Sequence, residues 1–112
     1  NIVYTVSDDR LIIDPSYDGE ISVKYEDIEG IEYREDGIGG NRIFGFASLK
    51  LLLGTFNNEE FGNYTRYTYY GDKACILLTV DGQKLVIGCE DNESTVSLYE
   101  SIVEKCSIEE GT

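Results

Sequence analysis

The 112-residue chain has no histidine, no methionine, one proline, three cysteines and only nine basic residues. Each shortage removes a class of function. Without histidine there is no Cys/His nucleophile pair and no Cys/His zinc site. The cysteines Cys75, Cys89 and Cys106 are odd in number and lack metal-ligand spacing. Cys75 and Cys89 fall inside apolar strand patterns and Cys106 near the end of a helical one. Buried thiols acting as small hydrophobes are therefore expected, with one disulfide plus an unpaired thiol as the alternative. A chain that begins at Asn1 without methionine reads as a processed or excised fragment. No apolar run approaches the roughly 18 residues that a bilayer span requires, since Leu51-Leu52-Leu53 and Cys75-Ile76-Leu77-Leu78 are strand-sized. The fragment reads as a soluble domain, and any membrane attachment is expected from a segment outside it.

The scarcity of cations is uneven. Nine basic residues against 22 acidic ones give a net charge of −13. Residues 1–36 hold three basic and eleven acidic residues (−8), and residues 57–112 hold four and eleven (−7). Residues 37–56 hold only Arg42 and Lys50 (+2), an electropositive island in an acidic chain. Binding to phosphate backbones and anionic head groups depends on clustered Lys and Arg, so nucleic acid is excluded and phosphoinositides are disfavoured. The acid excess itself reads as solubility.

Catalytic and metal chemistry find little support. The carboxylate pairs Asp8-Asp9, Glu26-Asp27, Glu35-Asp36 and Glu59-Glu60 all fall in turns, where acids are solvated. There is no Gly-x-Ser-x-Gly elbow, no phosphate loop and no alternating calcium-loop pattern. No enzyme activity, cofactor or metal is expected.

At this length the chain is one domain. Short alternating segments predict strands over residues 1–7, 10–14, 20–25 and 28–34 as a four-stranded meander, with Pro15 closing the second and a hairpin turn over Ser16–Gly19. Residues 43–56 read as one further strand in which Gly45 and Gly54 mark bulges or close approaches. A loop over 57–63, strands over 64–70, 73–80 and 83–88, and a tight Asp81-Gly82 hairpin follow. From Asn92 the period changes. Val96, Tyr99, Ile102, Val103 and Cys106 form one helical stripe over 92–106, capped by Asp91 or Asn92. Residues 107–112 read as a tail.

Seven or eight strands and a terminal amphipathic helix must nearly close on themselves to hide their edges. The meander, Gly39-Gly40-Asn41-Arg42-Ile43-Phe44-Gly45, then Gly54-Thr55-Phe56, Gly62-Asn63-Tyr64 and Tyr67, and finally Lys84-Leu85-Val86-Ile87-Gly88 leading through Asp91 into the helix, resemble the bacterial pleckstrin-homology-like (PH-like) domains. The likeness runs from about Tyr4 to Cys106. It implies a mainly β fold with one α-helix: a seven- or eight-stranded antiparallel barrel over residues 1–106, capped by the helix. It also implies frequent placement after transmembrane helices. In eukaryotic members a Lys/Arg cluster between the first two strands binds phosphoinositides, whereas Ser7-Asp8-Asp9-Arg10 stands there here.

The stretch from Gly37 to Tyr70 holds six glycines, all four phenylalanines and four of the nine tyrosines. Its phenylalanines, Phe44, Phe46 and Phe56 among them, are expected to fill the barrel. Strand alternation must send one set of tyrosines outward. Tyr64, Tyr67 and Tyr69, with Arg66 and the island of Arg42 and Lys50, are the expected partner-binding residues, since Tyr and Arg are favoured at interfaces. The expected role is a non-catalytic module that recognises a protein or peptide through an exposed strand edge or the helix–barrel groove. The alternative is a membrane-proximal structural or oligomerisation domain.

Overall fold

The computed structural model describes residues 1–16, 19–48 and 50–110. Within these lie β1 (Val3–Val6), β2 (Arg10–Asp14), β3 (Ile21–Lys24), a 3-10 turn (Tyr25–Asp27), β4 (Ile28–Arg34), β5 (Asn41–Ala47), β6 (Leu51–Asn58), β7 (Gly62–Tyr69), β8 (Cys75–Val80), β9 (Gln83–Ile87) and α1 (Asn92–Glu110). The strands form two open sheets and not the expected closed barrel. One has the order β1-β2-β3, the other β4-β8-β9-β7-β6-β5.

Three local events produce this arrangement. First, the 3-10 turn redirects the chain after β3, so β4 leaves the meander and pairs with β8. Second, the run over 43–56 is a hairpin and not one strand. The Ser48 hydroxyl accepts the Lys50 and Leu51 amides (3.1 and 3.0 Å), and the Ser48 amide donates to the Leu51 carbonyl (2.9 Å). This is the local side-chain turn chemistry that serine offers. Third, β7 and β9 are parallel. After β7 the chain skips one position and returns as β8. The Asp81-Gly82 turn, with φ of 51° and 77°, then sends β9 back into the gap. Both residues have the left-handed φ of a two-residue hairpin turn, as the Asp-Gly pair predicts. Of the expected turn over Ser16–Gly19, Tyr17 and Asp18 lie outside the described residues; so do Gly111 and Thr112 of the tail.

The six-stranded sheet is covered on both faces. On one, Leu11, Ile13 and Val23 of the small sheet and Leu98 and Ile102 of α1 pack on Ile76, Leu78, Leu85 and Ile87. On the other, Ile38 lies over Phe56, Tyr64, Leu77 and Val86. Tyrosine hydroxyls join the two sheets. The Tyr4 hydroxyl lies 2.7 Å from the Tyr67 carbonyl and 2.9 Å from the Gly88 carbonyl, and accepts the Gly88 amide at 3.1 Å. The Tyr69 hydroxyl accepts the Ile2 amide at 3.0 Å. Tyr25 of the 3-10 turn donates to the Ser7 carbonyl at 2.8 Å, tying that turn to the β1–β2 connection. Burial pushes the Tyr4 hydroxyl well above the ordinary tyrosine value.

The helix begins at an Asp91 cap, whose carboxylate accepts the Ser94 amide (2.8 Å) and hydroxyl (3.1 Å). These bonds hold the Asp91 carboxyl below its ordinary value. Asn92 instead accepts the Ala74 amide at 3.0 Å, and the Thr95 hydroxyl accepts the Cys89 amide at 3.0 Å. These contacts set the helix's rotation. Its buried stripe is Thr95, Leu98 and Ile102, so Val96, expected to lead the stripe, is exposed. The helix also continues to Glu110, past the expected end at residue 106.

Candidate functional site

The expected site residues divide by burial. Arg42 and Lys50 are exposed, and Tyr67 is half-buried. Tyr64, Tyr69 and Arg66 are buried, Arg66 being only 4% exposed. An outward tyrosine face with Arg66 is therefore not present. Alternation does place Tyr64 and Arg66 opposite Tyr67 and Tyr69, but β7 is an inner strand with cover on both sides.

The Arg66 guanidinium works from beneath the Gly37–Gly40 loop. It donates to the Ile38 carbonyl, to the Thr68 hydroxyl (2.7 Å) and to the Tyr64 hydroxyl (3.1 Å). It also sits 5.7 Å from the Phe56 ring centre. The Tyr64 hydroxyl donates in turn to the Gly39 carbonyl (3.1 Å), and the Asn58 amide reaches the same oxygen (2.9 Å). A side chain at Gly40 would collide with the Tyr64 hydroxyl, so the loop can lie flat only with glycine there. Among the described residues no disulfide is formed, and burial raises the Cys75 and Cys89 thiols above their ordinary value. Buried Cys75 agrees with the small-hydrophobe expectation.

The phenylalanines also divide. Phe56 is buried as expected, but Phe44 is 78% exposed, and Ile43 and Phe46 are exposed beside it. The reason is the unforeseen hairpin at Ser48. It makes β5 the last strand of its sheet, where the three-stranded sheet borders it across a groove and does not cover it. Phe44 and Phe46 pair across the ladder with Thr55 and Leu53, on the core side of the sheet. There they line a groove of about 350 Å³ with Pro15, Gly19, Ile21 and Tyr67.

Two devices shape this edge. Ile43 is an extra residue between Arg42 and Phe44 in the register with β6, a bulge that splits the pairing into Asn41–Arg42 and Phe44–Ala47. Next to it Gly45 and Gly54 face each other with φ of 130° and 125°. A Cβ on either would run into the other strand's carbonyl, so the two strands meet backbone to backbone at this point of the groove.

The opposite edge, β4, differs. It carries Glu29 and Glu32, and Arg34 there is paired with Glu32 and Glu60. A charged edge resists added strands. The cavity between β4 and the end of α1 is larger, about 570 Å³, but Glu26 and Glu29 stand on its wall and it opens widely to solvent. An apolar groove lies instead beside β5, whose one charged residue is Arg42 near its start.

Residues 2–102 match the family model described as Bacterial PH domain. The chain belongs to that family. No curated protein and no solved structure matches it. PH-like domains are generally non-catalytic modules. In this bacterial PH domain the turn between the first two strands holds Asp8 and Asp9, and Arg10 donates two hydrogen bonds to the Asp9 carboxylate (3.1 and 3.0 Å). That bonding lowers the Asp9 carboxyl below its ordinary value. The turn borders a cavity whose other walls are Lys24, Tyr25 and Glu26, so carboxylates outnumber cations there. Among the described residues no helix of this PH domain is long and apolar enough to cross a membrane, and no group of acids and thiols could hold a metal ion.

Proposed function

We propose that this PH domain is a non-catalytic recognition module that takes an extended segment of a partner protein as an added strand on β5. The observation that carries this reading is the joint exposure of the strand edge and of Phe44 beside an apolar groove. Main-chain hydrogen bonds to an edge supply affinity, and side chains of the added strand select what fits the groove. Phe44 has apolar surface to give, and burying a Phe side chain is worth about 1.5–3 kcal/mol. The bulge at Ile43 interrupts the edge, which suits a short segment and discourages open-ended sheet growth.

The test is selection of displayed peptides on the purified domain, followed by amide hydrogen exchange of the complex. Selected peptides are expected to protect β5 amides and to lose about tenfold or more in affinity on Phe44→Ser, an exposed position where the change leaves folding intact. Peptides whose protection maps to the β4–α1 cavity, with affinities indifferent to Phe44→Ser, would overturn the reading.

A further inference from the structure

Resting on that reading, we infer that the segment received by β5 is acidic at both ends, with apolar side chains alternating between. Arg42 is the second residue of β5 and Lys50 follows its far end in the turn, so the two cations bracket Phe44 and Phe46. The 37–56 segment contains no carboxylate, and among the described residues neither cation has one within 4.0 Å. Of the seven other cations, Arg10 and Arg34 are engaged by carboxylates and Arg66, Lys73 and Lys84 by carbonyls or hydroxyls. Lys24 borders the acidic cavity of Asp8, Asp9 and Glu26, and Lys105 lies on the helix, so Arg42 and Lys50 are the pair that flanks the apolar groove. Five residue steps lead along β5 from Arg42 to Ala47, and at about 3.3 Å each they place the turn that holds Lys50 on the order of 15 Å from Arg42. That exceeds the screening length of about 8 Å at physiological ionic strength, so each needs its own counter-charge.

The same charges argue against a second copy of this chain as the occupant. Antiparallel pairing of two β5 strands brings Arg42 of one copy toward Lys50 of the other, and parallel pairing sets like residues side by side. Each copy also carries a net charge of −13. Like-charge juxtaposition suppresses such a pairing, whereas an acidic segment is drawn to the island.

The experiment uses three blocked, labelled peptides: alternating valine and threonine with two aspartates at each end, the same with lysines for aspartates, and the aspartate peptide with serines for valines. Fluorescence anisotropy is read at low and physiological salt. The aspartate peptide is expected to bind, more weakly as salt rises, and the other two to bind at least about tenfold more weakly. The double variant Arg42→Glu, Lys50→Glu is expected to reverse the preference toward lysine. Equal binding of the aspartate and lysine peptides, lost on Phe44→Ser, overturns the acidic class and leaves the strand-edge reading standing. If none of the peptides binds, the acidic inference fails, and the strand-edge reading is decided separately by the library selection. Two further outcomes overturn it: a dimer in sedimentation velocity that Phe44→Ser abolishes, or sedimentation with phosphatidylserine vesicles that the aspartate peptide cannot displace.

Discussion

Arg66 brings a full charge under the Gly37–Gly40 loop with no carboxylate within 4.0 Å among the described residues. Its partners are a carbonyl, two hydroxyls and an aromatic face, which together hold the loop on the sheet. Arg66→Met removes these bonds but also the cost of burying the charge, so a loss of about 1–3 kcal/mol is expected in urea unfolding. Arg66→Glu is expected to leave no cooperative transition, because a carboxylate would face the Ile38 carbonyl. Charge reversal at Arg66 thus reads folding and not partner binding. Tyr4 makes the other strong residue-scale prediction. Tyr4→Phe leaves a Gly88 amide without its acceptor and should cost about 1–3 kcal/mol at neutral pH. The raised hydroxyl of Tyr4 adds a signed pH dependence. Above the ordinary value of 10.0 the unfolded chain releases this proton while the folded one keeps it, so wild-type stability falls. The gap between wild type and Tyr4→Phe should narrow in that range.

At the scale of elements, the β5–β6 hairpin depends on its facing glycines. Gly54→Ala forces a Cβ into the Phe44 carbonyl at a left-handed backbone position, and a loss of at least about 2 kcal/mol is expected. Amide exchange should show that loss first in β5, the edge strand. The helix depends on its cap. Asp91→Ala should lower the Tm at neutral pH, since two Ser94 groups lose their acceptor. The Asp91 carboxyl is depressed in the folded state, so its contribution is full above the ordinary value of 3.8 and is lost as pH falls through the lower folded value. Wild type and variant should therefore converge in acid.

For the molecule as a whole, 22 acidic residues face nine basic ones, and three ion pairs are formed among the described residues, all near the surface. Repulsion among unpaired carboxylates outweighs these pairs, each of which is worth little in water. The Tm should rise as sodium chloride is added from low ionic strength, whereas a fold held by its ion pairs would lose stability. In the proposed reading the same field opposes pairing of two copies and draws an acidic chain toward the island around Arg42 and Lys50.

Alternation and turn residues in the sequence determine most strand positions, the Asp81-Gly82 hairpin, the helix after Asp91 and the family resemblance, because these depend on neighbours a few residues apart. Charge and composition likewise determine the electropositive island. Which faces are covered depends on contacts between distant segments, and only the tertiary structure decides that. Tyr64, Arg66 and Tyr69 look like any half-exposed strand until β7 is placed inside its sheet under the Gly37–Gly40 loop. Phe44 and Phe46 look like core until Ser48 turns the chain and leaves β5 at the rim. A short turn capped by one serine side chain makes an expected interior strand the edge of its sheet.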